Sequence, residues 1–140
     1  MRIVLDTNVF ISGVFFRGPP RRVLEGWRDG VVRVVFSREI FEEYQRIGDR
    51  LSERYEGVDL APFLELLVVE GDLVEAISLE QPVSKDPDDD KFLACALASD
   101  VEVVVSGDDD LLRVSGWRGI EVVSPGEFVR RFLEGGGNQD

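Results

Sequence analysis

Apolar positions along the chain alternate between short continuous runs and helical faces. Residues 2–5 read Arg-Ile-Val-Leu and stop at Asp6, the pattern of a buried strand. Val9-Phe10-Ile11 begins a helix, with Asn8 as its expected N-cap, and this helix gives out near Arg17-Gly18-Pro19-Pro20. The Pro pair opens a second helix carrying Val23, Leu24 and Trp27 at helical spacing, and Asp29-Gly30 ends it. Residues 31–36 are short and β-branched, a second strand. Ser37 can cap a helix whose apolar face is Ile40, Phe41, Tyr44, Ile47 and Leu51. A further helix is expected over 59–70, then a short strand or edge segment over 73–77 and a connector over 78–85. Asp86-Pro87-Asp88-Asp89 reads as a helix start, and the helix through Ala98 is apolar nearly all round, so it should be deeply packed. Residues 101–105 form a buried parallel strand and 120–123 a last strand. Ser124-Pro125 opens a helix to about Leu133. Strands alternating with helices predict an α/β fold, a central and mainly parallel sheet flanked by helices. The expected organisation is a single domain over 1–134 with a flexible Gly-rich tail over 135–140.

Composition narrows the chemistry. The chain has 16 basic and 28 acidic residues, a formal charge of −12, which argues against broad coating of nucleic acid. A small nucleic-acid site stays open if bound cations neutralise acids locally. There is no histidine, so a histidine general base or a histidine-ligated metal is excluded. Cys95 is the one cysteine, lies in an apolar run and reads as a small core residue. No apolar run approaches membrane-spanning length and the N-terminus does not resemble a signal segment, so a soluble, cytoplasmic protein is expected.

The acids matter because of where they fall. In an open parallel sheet, ligands gather at the carboxyl ends of the strands. Asp6 ends the first strand, and Asp108 and Asp110 follow a later one. If those strands are neighbours, their acids meet at one edge of the sheet. At about 100° per residue, Glu43 borders the buried face of its helix and Glu42 projects to solvent. In the run 86–90, Asp86 reads as a helix cap and Asp88 and Asp89 as solvated first-turn acids. Asp90 runs straight into Phe92-Leu93 and is the one favoured for a site. Two carboxylates about 4 Å apart repel by roughly 4 kcal/mol at an effective dielectric near 20. A hard divalent cation removes that penalty, and all-oxygen ligation favours Mg²⁺ or Mn²⁺ over Zn²⁺. The chemistry that fits is metal-assisted hydrolysis of a phosphodiester. Thr7, Asn8 and Ser106 could orient carboxylates or waters. Arg17, Arg21, Arg22 and Lys91 are candidate phosphate contacts, weighed against the blander reading of Arg17, Arg21 and Arg22 as a solvated helix start. Trp27 and Trp117 read as core rather than base-stacking platforms.

Four segments taken together resemble the PIN-domain family, in particular its VapC-like branch of toxin–antitoxin ribonucleases. They are Leu5-Asp6-Thr7-Asn8-Val9; Ser37-Arg38-Glu39-Ile40-Phe41-Glu42-Glu43-Tyr44; Asp86-Pro87-Asp88-Asp89-Asp90-Lys91-Phe92-Leu93; and Val105-Ser106-Gly107-Asp108-Asp109-Asp110-Leu111-Leu112. The resemblance implies a Mg²⁺ or Mn²⁺ site built by Asp6, Glu43, Asp90 and Asp108, with Asp110 as a frequent additional acid. It implies supporting hydroxyls at Thr7 and Ser106, cleavage of single-stranded RNA, a frequent homodimer and an antitoxin partner. Strong acidity is the departure from the pattern, and it fits a need for a basic partner or a tightly chosen substrate. Two other readings compete. A haloacid-dehalogenase-type phosphatase wants a second Asp two positions after the first, where this chain has Asn8. A catalytically silent PIN-fold binding module would keep the fold without the reaction.

Overall fold

The computed structural model describes residues 1–134, so the expected tail over 135–140 lies outside the described residues. Five strands form one sheet: β1 (Arg2–Leu5), β2 (Arg33–Ser37), β3 (Asp72–Val74), β4 (Val103–Val105) and β5 (Glu121–Val123). Their order is β3-β2-β1-β4-β5 and every pairing is parallel. The chain therefore runs outward from β1 through β2 to β3, then returns to the other side of β1 for β4 and β5. That reversal puts a topological switch point at the carboxyl end of β1, between β1 and β4.

Both faces of the central strands are covered. Ile3, Val4, Leu5, Val104 and Val105 are fully buried, as expected for strands with helices on both sides. The helices are α1 (Thr7–Phe15), α2 (Pro19–Arg28), α3 (Arg38–Ser52), α4 (Ala61–Glu70), α5 (Asp90–Ser99), α6 (Asp109–Leu112) and α7 (Pro125–Phe128), the last passing into a π-helical stretch over Val129–Glu134. Among the described residues no helix is long and apolar enough to cross a membrane. Cys95 is buried in α5, as expected of a core residue.

Three local structures depart from the sequence expectation. First, α1 begins two residues early, at Thr7, and is capped by Asp6, whose Oδ1 accepts the Val9 N–H at 2.8 Å, rather than by Asn8. Second, Arg21 closes the other end of α1 by donating to the carbonyls of Gly13 and Val14 at 2.5 and 3.0 Å. Third, the acidic run before α5 winds as a tight 3₁₀ turn over Pro87–Asp89, and the α-helix proper starts at Asp90. A 3₁₀ turn has about three residues per turn rather than 3.6, so it shifts the phase of every acid in the run.

The third wall of the switch point is α3. Ser37 ends β2 and caps this helix through the Ile40 N–H at 3.3 Å. Tyr44 then donates its buried hydroxyl to the Leu5 carbonyl at 2.5 Å and stacks on Phe10 at 4.2 Å between centroids. That clamp fixes α3 against the last residue of β1, and the residue before Tyr44 is Glu43.

Candidate functional site

Because β1 and β4 are neighbours in register (Leu5 opposite Val105), Asp6 and Ser106 leave the sheet side by side. The Asp6 N–H still bonds the Val105 carbonyl at 3.0 Å. Asp6 is 3% exposed; its Oδ1 caps α1 and its Oδ2 accepts the Ser106 hydroxyl. Ser106 Oγ in turn accepts the Asp108 N–H at 3.0 Å, which aims Asp108 back toward Asp6. Asp108 Oδ1 caps α6 through the Asp110 N–H at 3.0 Å.

Asp6, Glu43, Asp86, Asp88, Asp89 and Asp108 line one cleft of about 270 Å³, together with Thr7, Asn8, Ile47 and Phe92. A broader trough of about 650 Å³ adjoins it, and Asn8 and Asp108 line both. Burial pushes the Asp6 carboxyl up to about 6, against the hydrogen bonds from Ser106 and Val9, with the charges of Asp108 and Glu43 adding to the rise. Asp89 is pushed up to about 8, first by burial, then by a hydrogen bond shared with the Asp108 carboxyl and by that group's charge, with Asp86 and Asp6 behind it. One oxygen of Asp89, Oδ2, is buried, and no donor among the described residues reaches it.

Glu43 has taken other partners. Thr7 Oγ1 donates to its Oε1, and Lys91 Nζ lies 2.7 Å from its Oε2. The Lys91 side chain is 8% exposed and also holds Asp88 at 3.0 Å. Burial works against its charge, but Glu43 and Asp88 outweigh that and hold the ammonium above its ordinary range.

The sequence-predicted residues thus divide. Asp6, Glu43 and Asp108 converge, with Thr7, Asn8 and Ser106 beside them. Asp90 does not join them: its two oxygens accept the Val83 and Ser84 N–H groups at 3.0 and 2.8 Å, so it clamps the connector onto the start of α5. Asp110 turns outward to Arg113 at 3.0 Å. Of the four candidate phosphate contacts, Arg21 is committed to α1, Arg22 pairs with Glu134, Lys91 is buried among acids, and Arg17 lies at the exposed end of α1. Asp86, Asp88 and Asp89 all line the cleft and all were passed over by sequence reasoning; of the three, Asp89 is the one set against Asp108. Its only signal was membership of the Asp88-Asp89-Asp90 run, since the choice within that run depends on the helical phase.

The donor set is all oxygen, from carboxylates, hydroxyls and an amide, which suits a hard divalent cation over a soft one. Asp89 Oδ2, reached by no donor among the described residues and set among carboxyls that resist ionising, is what a bound cation would relieve. As the side chains lie, no three acids among the described residues stand close enough to enclose an ion. Loading would therefore require carboxylates to leave their internal donors. A family model described as a PIN domain matches residues 2–110. No curated protein matches the chain.

Proposed function

The chain belongs to the PIN-domain family, a nuclease fold, and on that premise we propose that it is a Mg²⁺- or Mn²⁺-dependent endoribonuclease that hydrolyses single-stranded RNA. The observation that carries this reading is the convergence of Asp6, Asp89 and Asp108 at the switch point, with a buried carboxylate oxygen of Asp89 that no donor among the described residues reaches. In the proposed site these three acids hold the ion and Glu43 borders it. Asp90 serves as the clamp of the connector and Asp110 as the partner of Arg113. When bound, a divalent ion supplies hydroxide near neutral pH and charge for the leaving oxygen.

The chain's own residues do the rest. The Ser106 hydroxyl fixes the rotamer of Asp6, and the Thr7 hydroxyl fixes that of Glu43. Lys91 balances part of the negative charge, so the apo protein tolerates six acids in one cleft. Asn8, which lines both the cleft and the trough, offers an uncharged donor to a phosphate oxygen.

The test is to incubate purified protein with unstructured RNA in Mn²⁺ and in chelator. Cutting is expected only with Mn²⁺ and is expected to vanish in Asp89→Asn. Cutting that persists in chelator would discard the metal-dependent mechanism. Calorimetry adds an independent readout, since displacing protons from Asp6 and Asp89 makes the apparent heat of Mn²⁺ binding depend on the buffer.

For the biological setting we propose the toxin half of a toxin–antitoxin pair, acting in the cytoplasm as a homodimer. The four sequence segments support this setting. A small reading frame beside the gene, growth arrest on expression relieved by that frame's product, and a dimer in light scattering are the expected observations. A second reading is favoured by one fact: nearly every acid in the cleft is already satisfied internally. That suits a binding module that never loads an ion, and a flat Mn²⁺ titration together with uncut RNA would select it.

A further inference from the structure

The acid cleft poses a problem for any RNA strand. A chain of charge −12 with six acids around the reacting position repels phosphates, and a resident ion offsets that only at one point. Strand binding needs cations on either side, and several of the basic residues already hold other partners. Arg2 and Arg33 share Asp72, Arg28 pairs with Asp29, and Arg131 with Glu121 and Glu127.

Two arginines differ. Arg46 lies one helical turn beyond Glu43 on α3, 60% exposed, with a guanidinium nitrogen 3.5 Å from Glu43. Arg113 follows α6 on the opposite side of Asp6, 67% exposed, 3.0 Å from Asp110, and is the basic residue lining the trough. The positions follow from strand order: α3 springs from β2, α6 from β4, and Asp6 ends β1 between them. Each guanidinium is itself mostly exposed and touches a more buried carboxylate within its own local segment, three residues away, with Glu43 also held by Thr7 and Lys91. Such pairs are weak, and a phosphate offers the planar fork a bidentate alternative.

We propose that Arg46 and Arg113 are the two phosphate grips of the substrate path, one on each side of the acid cleft, and that they thread a single RNA strand across Asp6. The inference rests on the ribonuclease reading and deepens it. A path with a grip beyond each side of the reacting position takes a strand that continues in both directions, so cutting is internal. Contacts to the backbone alone carry no base preference, so the grips position the strand without selecting its sequence.

The experiment uses a short labelled single-stranded RNA and fluorescence anisotropy in Mn²⁺, on an Asp6→Asn background that prevents cutting. Arg46→Ala and Arg113→Ala are each expected to weaken binding roughly five- to tenfold at low salt and to lower the slope of log affinity against log salt by about 0.7. The losses should match for uridine-rich and adenine-rich strands. Arg131→Ala, an exposed arginine away from the cleft, should stay within about twofold of the parent, as backbone grips act locally. Both cleft variants binding like the parent would overturn the proposal, and so would an equal loss in Arg131→Ala. Absence of RNA binding by the Asp6→Asn parent and by the wild type would instead overturn the ribonuclease reading, and the grips with it.

Discussion

The two ends of the sheet treat their acids in opposite ways. Near the amino ends of the strands, the Asp72 carboxylate receives Arg33 at 2.7 Å and Arg2 at 3.2 Å, and these partners hold it below its ordinary range. At the carboxyl ends, Asp6 and Asp89 are pushed up to about 6 and about 8, and neither forms an ion pair with an arginine or lysine among the described residues. β1 carries both treatments four residues apart, with Arg2 at its start and Asp6 just past its end. The matched end is what folding alone favours, with charges paired at the surface where desolvation is small. Nothing about folding favours the unmatched end, where burial and like charge both work against ionisation. Sites held in that condition point to a ligand that relieves them.

The contrast can be broken most severely through the chemistry. Asp89→Asn and Asp6→Asn should each reduce Mn²⁺-dependent RNA cleavage by at least about a hundredfold, whereas Asp72→Asn should leave the rate unchanged. Gel assays on one labelled RNA settle all three. If Asp72→Asn were as damaging as Asp89→Asn, the two ends would not differ in function.

Metal should act on one end only. At about a hundred times its dissociation constant, Mn²⁺ should stabilise the protein by about 2.7 kcal/mol through mass action. Differential scanning calorimetry should show this gain in wild type and in Asp72→Asn, and lose it in Asp89→Asn. A gain preserved in Asp89→Asn would place the ion elsewhere.

Asp90 sharpens the comparison from within the acidic run. Removing its carboxylate in Asp90→Ala leaves two backbone N–H groups of the connector without their acceptor, at a cost of about 1–3 kcal/mol. Urea unfolding should show that loss, while Mn²⁺ binding to the folded variant should hold within about threefold. Asp89→Asn should do the reverse, losing the ion and gaining metal-free stability as repulsion is relieved.

The smallest effects are in pH. Asp6 and Asp89 have folded values above the unfolded one near 3.8, so between those limits the folded state holds more protons. Metal-free stability therefore falls as pH rises from about 4 through about 8 on their account. Asp72 has the opposite sign: its lowered folded value makes its contribution present above the unfolded value and lost on acidification. Melting curves in chelator should peak on the acidic side of neutral. The high-pH slope should flatten in Asp89→Asn, and the acid limb should soften in Asp72→Asn by well under about 1 kcal/mol, given the exposure of that pair.

Much of the fold was legible along the chain. Residues 2–5, 101–105 and 120–123 read as strands because the runs are almost continuously apolar, and the strands lie within them at Arg2–Leu5, Val103–Val105 and Glu121–Val123. Ser37 and the face through Ile40 and Tyr44 read as a helix start because capping and periodicity are local. The same locality explains Glu43 and Glu42: angular position on one regular helix is computable from spacing. It fails at 86–90, where a 3₁₀ turn replaces the first turn of the α-helix and Asp89 rather than Asp90 faces the strand ends. It fails again for Lys91, a candidate phosphate contact in the sequence, whose side chain is buried between Glu43 and Asp88.

What the sequence by itself determined is the kind of layered sheet this chain makes and the absence of any imidazole from its chemistry. Those come from residue types and from backbone periods of two and 3.6, which involve only near neighbours. What the tertiary structure alone decided is which carboxylates share a wall and which cations are buried among them. Those depend on β1 lying between β2 and β4 and on helical phase after a tight turn. The first is a relation between segments tens of residues apart, the second a break in the regular period, and no local pattern records either.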